Sequence, residues 1–222
     1  MRLLSIALIG LGGLVATAHA GAWLREEGTG FTSLSFGVSQ FNETTNAFYL
    51  EYGLSDTTTI GVDISAFTNS SDVRNGFGTL FLRRGIGPTT GPHRFAYEVG
   101  IGGLWGNEMQ LPTVKSGVSW GYGFTQNDLP GWVNLDAAYI YEPRTGQHIT
   151  RLDGTLGLGF SDLTTGLIEF TISEQNDDAY GAVMPSLLFQ PKKVPFDVKV
   201  GAEIPYQETN RSALKLGIWR RF

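Results

Sequence analysis

The sequence predicts an all-β protein: an antiparallel, up-and-down transmembrane β-barrel of about twelve strands. Three observations carry this expectation. Apolar residues recur at every second position in a dozen separate runs, the period of a strand with two unlike faces. The opposite faces are mostly Gly, Ser, Thr or charged, which suits a polar interior better than a solvated exterior. Each run is about the 9–11 residues that a tilted strand needs to cross a bilayer, and twelve is an even number, as single-chain bacterial barrels require.

The runs follow in order. Phe31 to Gln40 sets Leu34, Phe36 and Val38 against Ser33, Ser35, Gly37 and Ser39. Asn46 to Leu54 opposes Phe48, Leu50, Tyr52 and Leu54 to Ala47, Tyr49, Glu51 and Gly53. After Ser55-Asp56-Thr57, the third run alternates Ile60, Val62 and Ile64 with Gly61, Asp63 and Ser65. The fourth, Gly76 to Arg84, is apolar on both faces, so its orientation is not assigned. Phe95 to Leu104 opposes Tyr97, Val99 and Ile101 to Glu98, Gly100 and Gly102, and residues 115–124 alternate small and large side chains. Trp132 to Tyr141 and His148 to Phe160 are the seventh and eighth. Ile168, Phe170 and Ile172 mark the ninth; Tyr180 to Gln190, weakened by Pro185, is the tenth. Phe196 to Ile204 and Leu214 to Phe222 complete the set. Misreading the fourth and tenth runs would leave ten strands or fourteen.

The ends and the composition agree with export. Arg2, an apolar run from Leu3 to Val15 and the small-residue site Ala18-His19-Ala20 form a secretory signal peptide, residues 1–20. Residues 21–222 are then one barrel domain. Three of the 30 glycines lie in the signal, which leaves 27 among 202 residues, about twice the ordinary ~7%. There are no cysteines, so no disulfide framework exists. The net charge of −5, without a basic cluster, argues against nucleic-acid binding. The sequence does not decide whether Gly21 to Gly28 folds inward as a plug.

Alternation alone does not separate a soluble sandwich from a membrane barrel. Aromatics near strand ends (Tyr52, Tyr122, Phe124, Tyr141, Phe160, Phe189, Phe196 and Trp219) favour the membrane, as interfacial girdles. The connectors alternate as well. Polar, acidic ones (Asn69 to Asp72, Gly106 to Glu108, Gln175 to Asp178, Gln207 to Asn210) are expected outside the cell. Turn-like ones such as Ser161 to Thr164, together with both termini, are expected in the periplasm.

The last strand, Leu214-Lys215-Leu216-Gly217-Ile218-Trp219-Arg220-Arg221-Phe222, resembles the C-terminal assembly signal of Gram-negative outer-membrane proteins. Leu214, Leu216, Ile218 and Phe222 match it; Arg220 stands where an apolar residue is usual. The resemblance implies an outer-membrane location, lipid contact and recognition by the barrel assembly machinery. "EYGLSDTTTIGVD", residues 51–63, resembles a strand–turn–strand of transporters related to the MetA pathway of phenol degradation. That resemblance covers 13 residues and implies a transport role.

The candidate chemistry is sparse. Gly117, Ser119 and Gly121 have G-x-S-x-G spacing, yet no helix pattern follows, as a nucleophile elbow needs; Ser119 reads as strand wall. His93 and His148 lack the surroundings of a barrel hydrolase. Glu174, Asp177 and Asp178 lack the spacing and glycine of a calcium loop. No catalytic residue, metal ligand or cofactor is therefore assigned. The expected lumen charges are Glu51, Asp63, Glu98, Lys115, Asp136, Arg151, Asp153, Glu169, Lys199 and Glu203, seven acids and three bases. They imply passive passage or binding of a small solute with a cation preference. The alternatives are a closed barrel with a structural or surface-interaction role and, third, an outer-membrane lipid-modifying enzyme.

Overall fold

The computed structural model describes residues 21–87, 90–106, 109–175 and 178–222. The expected signal peptide, Asn107 and Glu108 of one connector, and Asn176 and Asp177 of another fall outside them. Twelve antiparallel strands form one closed barrel: β1 (Gly30–Ser39), β2 (Thr44–Ser55), β3 (Thr58–Thr68), β4 (Arg74–Ile86), β5 (His93–Gly106) and β6 (Met109–Gln126), then β7 (Leu129–Tyr141), β8 (His148–Ser161), β9 (Thr164–Gln175), β10 (Asp178–Phe189), β11 (Asp197–Pro205) and β12 (Ala213–Arg221). Each strand pairs with its neighbours in sequence, and β1 pairs with β12. The expected up-and-down order and strand number both hold.

The seam runs from Phe31↔Arg221 to Ser39↔Ala213. It is finished by two backbone bonds, Gly30 N–H to Phe222 O (2.6 Å) and Phe222 N–H to Gly30 O (3.0 Å). Closure matters because an open edge would leave unpaired backbone groups, which hydrocarbon cannot satisfy. At the end of the barrel that carries both termini, three turns have two residues between paired strands. Asn127 and Asp128 both adopt positive φ, 49° and 64°, the geometry of a type I′ hairpin. The other two tight turns, after Ser55 and Ser161, are each preceded by a register shift.

The outer face carries the apolar positions. Ile101 is 64% exposed and Leu214 68%, and Leu34, Phe36, Val99, Val118, Ile168 and Leu216 are exposed with them. Such a continuous apolar band is untenable in water and suits lipid. One segment of the aromatic belt is visible as a stack: His93, Trp120, Tyr122 and Phe124 are neighbours on β5 and β6, with the Trp120 indole N–H donating to His93 Nδ1 at 3.2 Å.

The reading of one residue needs correction. Trp219 is not in the outer belt: it lies on the same face of β12 as Lys215 and Gly217, edge-on to Phe31 at 5.7 Å. It packs against a buried cluster of Trp132, Leu167 and Leu188. The unassigned fourth run resolves as well. Leu80 and Leu82 face outward, whereas Phe81 is 2% exposed and Thr79 and Arg83 are buried beside it. The run looked apolar on both faces because an interior aromatic sits next to an interior charge. On β10, the pairing with β11 skips Met184 and Pro185, as expected where a proline supplies no N–H.

Candidate functional site

The inward-facing residues of β2, β4, β5 and β6 form a chain of alternating charges. Arg83 on β4 is its centre. Its guanidinium bonds Glu51 Oε1 on β2 on one side, and Glu98 Oε2 on β5 at 2.6 and 3.1 Å on the other. Lys115 on β6 reaches Glu98 at 2.7 Å, and the Tyr49 hydroxyl donates to Glu51 at 2.5 Å. Phe81 lies beneath this chain, with the Arg83 and Lys115 charges over its ring at 4.9 and 5.8 Å. Here the alternation of β-strands sets the geometry: glutamates and bases at every second residue of neighbouring strands become one lateral row. Buried charges persist only in such pairs, because an unpaired one costs several kcal/mol.

The opposite wall is paired more loosely. Lys199 meets Glu169 at 2.8 Å, Lys215 meets Glu203 at 3.1 Å and Arg221 meets Asp197 at 3.2 Å. Arg151 and Asp153, two apart on β8, meet at 2.7 Å with side chains about a third exposed. Asp63 sits opposite Tyr49 on β2 and Thr79 on β4. Asp136 takes a hydrogen bond from the Asn134 amide and lies opposite Ser119.

Of the ten expected lumen charges, the structure therefore joins Glu51, Glu98 and Lys115 through a residue the pattern missed, Arg83. It pairs Glu169 with Lys199, and Arg151 with Asp153. Glu203 is partnered by another missed residue, Lys215. Lys215 was visible in principle, since it alternates with Leu214 and Leu216. Arg83 was hidden by Phe81. Counting Arg25, Arg83, Lys215 and the Asp197–Arg221 pair, the tally becomes eight acids and seven bases. The acidic excess behind the expected cation preference shrinks from four to one.

Residues 21–29 enter the barrel at the end that carries the termini. The Ala22 N–H donates to Asn134 Oδ1 on β7 at 3.1 Å, and Ala22 is buried. Trp23 lies over Gly121 on β6, where any β-carbon would collide with its ring, and packs against the Trp132 cluster. Leu24 reaches Gly85 on β4. Arg25 donates from its backbone to Thr59 at 3.0 Å and from Nε to Glu51 at 2.7 Å. Glu27 forms a single parallel bridge with Gly53, a glycine that admits the crossing backbone at Glu26. The segment touches β2, β3, β4, β6 and β7.

The Ser119 reading as strand wall fits its place: it is buried within β6, which runs on to Gln126. His148 stacks on Tyr139. Among the described residues, no group of three His, Cys, Asp or Glu side chains could hold a metal ion.

A closed twelve-stranded barrel with an apolar outer face and a charged, paired interior has the architecture of a membrane-spanning β-barrel. Comparison with solved structures agrees at the level of fold. A KdgM porin superposes with a TM-score of 0.59 at 9% identity, over 86% of this chain and 99% of that one. The NanC porin gives 0.58 at 10% identity, over 85% and 97%. LpxR from Salmonella typhimurium gives 0.55 at 8% identity, over 86% and 99%. Likeness at this identity establishes the barrel and not its activity. No protein-family model matches the chain, and no curated protein matches it; the resemblance to MetA-pathway transporters finds no support there.

Proposed function

We propose that the protein is exported with removal of residues 1–20 and inserts into the outer membrane with both termini in the periplasm. There it passes a small solute passively along a charge-lined lumen. The observation that carries the reading is the interior itself. Ion pairs line the wall on both sides, and the side chains of the Arg151–Asp153 pair are about a third exposed. Charges that keep water beside them can exchange it for a polar solute without covalent chemistry. The fold shared with two porins supports this reading. A KdgM porin is known in complex with disordered oligogalacturonate, which is consistent with a polar solute in a barrel of this fold. Leu214, Leu216, Ile218 and Phe222 would be read by the assembly machinery before lipid covers them.

The second reading, a closed structural barrel, draws on the inward N-terminal segment and the tightly paired Arg83 row. Planar-bilayer recording of the processed protein, in asymmetric salt, separates the two. Discrete conductance steps with weak ion selectivity are expected. A folded barrel that stays silent with residues 21–28 both present and deleted would overturn the passage reading.

A further inference from the structure

The N-terminal segment ends at a receptor site. Gly21 lies inside the barrel with φ +83°, and a β-carbon there would strike Asp136 Oδ1 and the Asn134 side-chain amide. Asp136 Oδ2 is occupied by the Asn134 amide. Its Oδ1 is buried, with the neutral Ser119 side chain opposite on β6 as its neighbour, and no ion pair reaches it among the described residues. Asn134 Oδ1 is already committed to the Ala22 N–H. A carboxylate oxygen held in place, buried beside Gly21 and faced by no more than a neutral hydroxyl is a site for one positive donor. Coulomb attraction and charge-assisted hydrogen bonding both favour it.

We propose that this donor is the α-ammonium group released at Gly21 by signal removal, and that it locks residues 21–29 as a plug in the periplasmic mouth. The reaction is hydrolysis by an export peptidase. Water adds across the Ala20–Gly21 peptide bond, Ala20 leaves as a carboxylate, and the Gly21 amine takes up a proton. Before cleavage the nitrogen is a neutral amide carrying 20 further residues, and it cannot offer this charge. Processing thus creates the ligand for Asp136. Beyond the first contact, the Ala22–Asn134 bond, Trp23 against its aromatic cluster, and Arg25 on Glu51 hold the segment across the mouth. The plugging role rests on the passage reading above, and the anchoring of the ammonium rests on the removal of residues 1–20 proposed there.

The test begins with mass spectrometry of the processed protein in vesicles, followed by acylation of its α-amine at neutral pH. Gly21 as the first residue is expected, with its amine acylated about tenfold faster in Asp136→Asn than in the wild type. Another first residue, or equal rates in the two proteins, overturns the anchoring. In planar bilayers, deletion of residues 21–28 should raise conductance, and Asp136→Asn and Trp23→Ala should each raise the open fraction. Trp23→Ala keeps the carboxylate and serves where the Asn variant misfolds. If the deletion conducts but neither substitution changes gating, the lock is overturned while passage stands. If the deletion is silent, passage itself fails, and the acylation rates still decide the anchoring.

Discussion

Two ion-paired regions on opposite walls of the barrel differ in how deeply they are buried. Arg83 and Glu51 bury their side chains to 7% and 0% exposure, whereas Arg151 and Asp153 keep 35% and 33%. The first row is roofed by Phe81, Tyr49 and the N-terminal segment through Arg25. The second has no such cover. Arg83 holds Glu98 through two nitrogens and Glu51 through a third, whereas Arg151 meets Asp153 through Nε alone, and burial adds to that difference. A desolvated pair is costly to break because its survivor is left charged in a poor solvent. A hydrated pair barely resists, because water replaces the lost partner. One barrel therefore holds a rigid brace and a more exposed, labile pair on the same scaffold.

Substitutions that unbalance each region test this contrast. Arg83→Met leaves Glu51 to Arg25 alone and Glu98 to Lys115 alone, and should destabilise the barrel by about 3 kcal/mol; denaturant unfolding in vesicles measures it. A loss below about 1 kcal/mol would mean that the row is wetter than its burial implies. Trp23→Ala should cost about 2 kcal/mol through lost packing, read in the same assay, and should admit water to the brace. Arg151→Gln is expected to change stability by less than about 1 kcal/mol while shifting the reversal potential, since an uncompensated Asp153 adds negative charge to the path. An equal stability loss in Arg83→Met and Arg151→Gln would erase the distinction.

The smallest effect concerns a charge held without an ion pair. Glu142 follows β7 in the connector to β8. Burial works against its ionised form, but hydrogen bonds from the Thr145 hydroxyl and from the backbone N–H groups of Thr145 and Arg144 outweigh it. Its carboxyl therefore titrates below the ordinary glutamate range. Such a depressed value contributes stability above the unfolded value of about 4.3, which disappears as the pH falls through the lower folded value. Proteolysis within residues 142–147 should accelerate on acidification in the wild type, and should be fast and insensitive to pH in this range in Glu142→Gln.

The barrel was legible because strand alternation is a local signal: Leu34-Ser35-Phe36 and Val198-Lys199-Val200 announce their faces without knowledge of any partner. The same signal placed Glu51, Glu98 and Lys115 on one side, but it cannot say what lies across from them. Arg83 escaped because Phe81 put bulk where the polar face was sought. Trp219 was misassigned for the related reason that an aromatic near a strand end fits a girdle as well as an interior cluster. The inward path of residues 21–29 had no periodicity to read. Its partners lie far away in sequence; the Ala22–Asn134 bond spans 112 positions.

The bonds between Gly30 and Phe222 have a consequence for the order in which the molecule comes into being. Strand β1 is among the first parts of the barrel to emerge, yet its outer edge has no mate until the final strand is delivered. Until then, wherever β1 is formed, that edge is an open template for pairing with the wrong chain. A message truncated before β12 would yield a sheet with two raw margins and no way to seal them. The last nine residues of the ladder thus act as a certificate of completeness, presented only by chains that have been made to the end.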